Sequence, residues 1–286
     1  TRGVVLGAST RAVDELSLAR PQLERLDLAG ARLHLLAANE SFQTIEKELG
    51  SFGDVIGALS YMVPKGKSHF HLYKTGLHIT QAGAIIANRE ITFSQNKDLV
   101  PWLAQVQKLL IEMRPSVIEA SHHAKLVESA DFSEDIRSNV AHLQETIGTL
   151  ESALDPTIES LDQLLTLLGD DGWKRYLVLF QNSGELRPTG GFIGAFAILD
   201  VQNGAIKSMA LPPGGSYDLQ GSLHDVLIPP PPLRVANDRF EMQDCNWFPD
   251  FRYSAEKCMW FVERSLDSSF DGVIGITVAL VPEILK

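Results

Sequence analysis

Three polar clusters interrupt the apolar second half of this sequence, and each holds residue types that could do chemistry. The first runs from Gln181 to Phe192 and contains Glu185, Arg187, Pro188, Thr189, Gly190 and Gly191. A Gly-Gly pair carries no side chains, so its backbone N–H groups can approach a ligand. Arg187 adds a rigid fork of donors suited to phosphate or carboxylate. The same residues also fit a tight connection in which Arg187 pairs with Glu185 or another carboxylate. The second cluster is Ser216-Tyr217-Asp218, where Asp218 could hold a divalent cation or accept a proton, or could simply close a turn. The third runs from Asp244 to Arg252 and combines Asp244, Asn246 and Asp250 with Trp247, Phe248 and Phe251. Asp250 stands just before a helix, where a carboxylate is favoured as a cap. Trp247 and Phe248 can anchor the loop on the core.

Other residues point to less. His34, His69, His71, His78, His122, His123 and His142 are scattered among helices and loops. His122 and His123 are neighbours and so face different ways, and no metal site is expected from them. Cys245 and Cys258 lie in no CxxC or CxxH spacing, so they make no metal cluster. Their separation permits a disulfide, but two unpaired buried thiols are the expected state. The formal net charge of −11 repels polyanions, which argues against nucleic acid as a partner.

The elements that position these clusters are legible from apolar spacing. Phe42, Ile45, Leu49, Phe52, Ile56, Leu59 and Val63 alternate steps of three and four, as the seam of a heptad helix does. Leu99 to Val127 and Ile136 to Leu168 repeat that pattern. An earlier helix spans about Asp14 to Glu40, broken or started at Pro21. Pro64 to Ser68 reads as a loop, Leu77 to Ala87 as a weaker helix, and Asp98 as a cap. Phe132-Ser133-Glu134 opens the third long helix. Pro115 and Pro156 should kink or interrupt their helices. Each apolar stripe needs a partner, because burying one Leu or Ile is worth ~1.5–3 kcal/mol, and near-antiparallel packing supplies it. A stalk, or a surface for a partner helix, is the alternative use of the stripes.

After Gly169 to Gly172, read as a linker, the period changes. Arg175 to Phe180 is a near-continuous apolar run, as a strand buried on both faces requires. Phe192 to Val201 is a second strand, Asn203-Gly204 a type I′ hairpin turn, and Ala205 to Leu211 the return strand. Pro229 to Pro232 stiffens a surface loop. Ser254 to Leu266 is a helix and Asp271 to Val278 another buried strand. The fold class is therefore an α-helical bundle or stalk (1–169) followed by a mixed α/β domain (173–286). The chain opens at Thr1 and closes at Lys286 on a helix-like start, so both ends read as cut and the α/β domain as truncated.

From Tyr176 through Phe196 the sequence resembles the opening of the bacterial domain of unknown function 4012. Asn203-Gly204, Tyr217-Asp218-Leu219, Asn246 to Phe251 and Asp271 to Ile274 follow in that family's order. Gln243 stands where the family often has Arg; Arg239 or Arg252 are the candidates to replace it. The resemblance implies an extracytoplasmic protein, membrane-anchored in its parent by a helix absent from this chain. The layout is also similar to that of the LytR–CpsA–Psr family, which transfers glycan from a polyprenyl-pyrophosphate carrier using arginines, aspartates and Mg2+. By that likeness Arg187, Asp218 and Asp250 would be catalytic, with Asp218 and Asp250 also holding the metal. Glu185, Gly190, Gly191, Asp244, Asn246 and Arg252 would bind substrate. Two functions follow as expectations. One is a non-catalytic surface module binding cell-wall glycan, or a protein partner on the helical stripes. The other is a phosphotransferase-like enzyme acting on a lipid-linked pyrophosphate precursor. Convergence of Arg187, Asp218 and Asp250 on one cleft would favour the enzyme; separate caps and ion pairs would favour the module.

Overall fold

The computed structural model describes residues 2–24, 28–49, 59–89, 99–223, 226–235, 237–277 and 280, and the chain divides into two compact units, 1–163 and 164–286. The first unit is helical. It contains α1 (Arg2–Glu24), α2 (Leu28–Leu49), α3 (Gly66–Ala87), α4 (Leu99–Lys125) and most of α5 (Glu134–Leu167). Apolar stripes meet between helices adjacent in sequence. Ala12, Phe42, Ile45 and Leu77 join α1, α2 and α3. Ala82, Met113, Val117 and Leu154 join α3, α4 and α5, and Ala120, Ala124 and Ile147 extend that seam. A Cβ at Gly76 would lie 2.6 Å from the Phe42 ring, so this glycine lets α2 press directly on the α3 backbone. Outside the seam, Arg114–Asp155 (2.6 Å) and Lys125–Glu151 (2.7 Å) tie α4 to α5.

Several boundaries differ from those read in the sequence. The first helix begins at Arg2 and carries Pro21 inside its last turn. The Phe42-to-Val63 stripe is not one helix. Phe42 and Ile45 are buried on α2, residues 50–58 lie outside those described, and Leu59 and Val63 are exposed. Gly66 starts α3 in the middle of the expected loop, and Asp98 lies outside the described residues. Pro115 and Pro156 stop neither helix. The carbonyls they deprive of a donor belong to Ile111 and Ser152, both exposed, where water can replace the lost bond. Among the described residues, no helix is long and apolar enough to cross a membrane.

The second unit is built on a four-stranded mixed sheet of order β3-β2-β1-β4. Its strands are β1 (Lys174–Asn182), β2 (Phe192–Gln202), β3 (Ala205–Ala210) and β4 (Gly272–Thr277). The first three form an antiparallel meander, and β4 returns parallel to β1 after the helix α6 (Phe251–Leu266). Asn203 and Gly204 take φ of 50° and 71°, the paired positive values of the hairpin turn expected there. Tyr176, Leu177, Val178 and Leu179 are buried, as a central strand needs. The expectation that the last strand is buried fails. Among the described residues β4 pairs with β1 alone, and Ile274 is exposed. The stretch read as a linker is docked: Gly204 N–H donates to Leu168 O (2.7 Å) and Asn203 N–H to Gly169 O (3.0 Å).

One sheet face is covered by α6 and a 3-10 turn, Met242–Trp247, around Leu177, Leu179, Ile193, Phe196, Phe261 and Val262. Cys245 and Cys258 meet in that layer and form a disulfide with Cα atoms 5.0 Å apart, which corrects the expectation of free thiols. The turn and α6 cover the same face, and that shared packing brings the two fully buried sulfurs together.

Arg175 and Asp200 stand directly opposite on β1 and β2. Arg175 donates from Nε (2.7 Å) and Nη2 (3.1 Å) to the two Asp200 oxygens, and Ser208 donates to Oδ2 (2.7 Å). The Arg175 hydrogen bond, reinforced by that of Ser208, holds the Asp200 carboxyl below its ordinary range, against a smaller opposing effect of burial. Because the folded-state pKa is depressed, this contribution is present above the unfolded value of about 3.9 and is lost as pH falls through the folded one. Asp200→Asn should therefore cost about 1 kcal/mol at neutral pH, the half-exposed Arg175 being partly screened. It should also flatten the loss of stability below about pH 4, as read by urea unfolding across pH.

Candidate ligand-binding site

Arg187 lies in the β1–β2 loop, with Pro188 behind it and Gly190 and Gly191 closing the return to β2. The backbone folds tightly here: Gly190 N–H donates to Arg187 O (3.2 Å) and Phe192 N–H to Glu185 O (2.9 Å). Gly190 holds φ of 132°, a region that disfavours side chains. A Cβ at Gly191 would overlap the carbonyl of Asn182. The pair thus brings the loop flat onto the end of β1.

The Arg187 guanidinium is already between two carboxylates. Nη2 donates to Glu185 Oε1 (2.9 Å) and lies 4.0 Å from Asp244 Oδ1. Its carbon sits 5.3 Å from the Phe192 ring centroid, and that ring is 6.2 Å from exposed Tyr217. Asp244 is buried and accepts from Asn237 Nδ2 (2.7 Å). Burial pushes its carboxyl above the ordinary range, against the smaller pull of Asn237 and Arg187. Asn246, fully buried, donates from Nδ2 to Gly191 O (2.7 Å), and Thr189 Oγ1 donates to Asn246 O (3.4 Å). The β1–β2 loop is therefore stitched to the Met242–Trp247 turn.

Four buried polar atoms of this region have no hydrogen-bond partner within the protein: Gln181 Nε2, Arg187 Nε, Gln243 Oε1 and Asn246 Oδ1. Two are donors and two are acceptors. Buried groups of this kind are normally satisfied by protein or by ordered water, so these four atoms are positions in the loop and turn that call for polar partners, water included.

The other sequence-derived residues are placed elsewhere or used locally. Asp218 Oδ2 accepts from Gly214 N–H (2.8 Å), closing its own turn. Asp250 Oδ1 accepts from Arg252 N–H (2.8 Å) and caps α6. Arg252 is highly exposed and pairs with Glu256 at 3.1 Å, one helical turn on. The structure thus brings together Glu185, Arg187, Gly190, Gly191, Asp244 and Asn246, while the bonds of Asp218, Asp250 and Arg252 are local. Gln181, whose amide lies against Gly190, and Thr189 also belong to the site, and Gln243 is the neighbour of Asp244 on the turn. In the sequence Gln181 opened the first polar cluster, Thr189 lay inside it, and Gln243 stood out only as a departure from the family pattern.

The helical unit also gathers side chains that the sequence left apart. His71 Nδ1 lies 2.9 Å from His123 Nδ1, and the His78 and His123 rings stack with centroids 5.6 Å apart. Glu119 completes the group. The expectation of scattered histidines is corrected here for His71, His78 and His123, while His34 pairs with Glu15 and His69 with Lys65 O. His122 is exposed to solvent with its ring 5.4 Å from that of His123, edge to face, and His123 turns inward toward α3.

Neither a curated protein nor a solved structure matches the chain. Over residues 171–286, the span that carries the sheet, the disulfide and the Arg187 loop, the chain matches the model of the family described as "Protein of unknown function (DUF4012)".

Proposed function

We propose that the second unit is a non-catalytic extracytoplasmic module that binds an uncharged, hydroxyl-rich polymer such as cell-wall glycan. The observation that carries this reading is the charge balance at the Arg187 loop. One guanidinium faces Glu185 and Asp244, so the site offers no surplus positive charge to a pyrophosphate. The loop and turn hold both donors and acceptors without a partner in the protein, which suits hydroxyls, since each hydroxyl both donates and accepts. Exposed Tyr217, beside Phe192, provides an apolar face on which a sugar ring can lie. The buried disulfide is in keeping with an oxidising compartment.

The rival is a phosphotransferase-like enzyme of LytR–CpsA–Psr-like layout, acting on polyprenyl-pyrophosphate-linked glycan with Mg2+. It needs carboxylates free to hold the ion, and Asp218 and Asp250 each serve a backbone N–H of their own turn. The two readings separate by calorimetry of the purified protein against soluble wall glycan and against a prenyl pyrophosphate with Mg2+. The module binds glycan equally with and without EDTA, and Arg187→Ala weakens it at least tenfold, about 1.4 kcal/mol. Mg2+-dependent binding of the prenyl pyrophosphate, or no glycan binding at all, overturns the proposal.

A further inference from the structure

We infer that His78, Glu119 and His123 form a binding site for a divalent transition-metal ion, best matched by Zn2+, that clamps α3 to α4 in the helical unit. One ligand atom from each of the three residues lies within 4.8 Å of the other two. Around tetrahedral Zn2+ with bonds of about 2.0–2.1 Å, ligand atoms stand about 3.4 Å apart. The gap closes by side-chain rotation, and exposed Glu119 is free to make most of that movement. Glu119 and His123 are four residues apart and so project from one face of α4. His78 meets them from α3, and its ring stacks on that of His123 with an interplanar angle of 4°.

The surrounding hydrogen bonds prepare both imidazoles. His78 Nδ1–H donates to Gln81 Oε1 (3.0 Å), which leaves Nε2 with a free lone pair. With metal on His123 Nε2, His123 Nδ1–H donates to His71 Nδ1 (2.9 Å), and His71 Nε2–H donates to the Tyr61 hydroxyl (3.1 Å). Every ring nitrogen of the group then has one role. Orienting bonds of this kind are what metal-bound histidines use. Two imidazoles and one carboxylate make a borderline-soft set that suits Zn2+ and disfavours Mg2+, which prefers oxygen ligands. A fourth position is left for water.

Titration of the metal-stripped protein with Zn2+, followed by calorimetry and thermal unfolding, tests the site. Wild type is expected to take up one equivalent and unfold at higher temperature, with no response to Mg2+. Bound Co2+ should give the visible absorption of a four-coordinate ion. Gln81→Leu removes an orienting bond and should weaken Zn2+ binding about 10–100-fold. Loss of a ligand in Glu119→Gln or His123→Ala should weaken it at least as much. Glu119 is exposed, so Glu119→Gln keeps the fold even where His123→Ala does not. Absence of saturable Zn2+ binding, or Zn2+ affinity unchanged in Glu119→Gln, overturns the inference; the latter result would assign the binding to surface histidines.

Discussion

Replacing both Cys245 and Cys258 with alanine should lower the unfolding free energy by about 3 kcal/mol. The bond closes a loop over a sequence separation of 13 residues, and such a loop removes conformational freedom from the unfolded chain. It also pins the Met242–Trp247 turn, with Asp244 and Asn246, to α6 beneath the sheet. Both sulfurs are fully buried, so alanine leaves apolar neighbours and no stranded hydroxyl. Urea unfolding with and without reductant checks the result. Reductant should move the wild-type midpoint toward that of the double variant and leave the variant where it is. A wild-type midpoint insensitive to reductant under conditions shown to cleave the bond would contradict it.

Gly191→Ala should be as damaging, at about 3 kcal/mol or more. The new Cβ runs into the Asn182 carbonyl and stands 2.7 Å from Ser183 N, both backbone atoms that cannot swing aside. Opening the loop breaks the bond from Asn246 Nδ2 to Gly191 O and strands a fully buried amide. The loss should appear as lowered stability and, if the proposed function holds, as lost glycan binding. Gly148→Ala is the internal comparison. Nothing lies within 4 Å of a Cβ there, and the residue sits inside α5, so alanine should stabilise by about 0.5–1 kcal/mol and leave binding intact. Equal stability of the two variants would show that the loop is looser than its contacts indicate.

The strands and α6 were readable because their signals are local. The apolar run from Arg175 to Phe180, the positive φ values that Asn203-Gly204 tolerates, and a carboxylate at Asp250 each act within a few residues. They recur as β1, the hairpin and a capped α6. The Phe42-to-Val63 stripe shows the weakness of the same reasoning. Heptad spacing says which face is apolar, not where the backbone stops being helical, and Leu59 and Val63 end up exposed beside a turn.

Local information likewise named most residues of the Arg187 site but not their partners. That Arg187 would stand between Glu185 and Asp244, rather than face an empty cleft, depends on a loop and a 3-10 turn converging on one sheet. The same holds for the disulfide and for the histidine–glutamate group. Thirteen residues of separation allowed Cys245 and Cys258 either state, and α6 packing over the turn decided between them. His78 and His123 lie on different helices, and only the packing of α3 against α4 brings their rings together. Periodicity and turn chemistry act along the chain, so the sequence by itself determined the elements and the residue types at their ends. Charge balance, sulfur pairing and ligand geometry act across space, and the tertiary structure alone decided them.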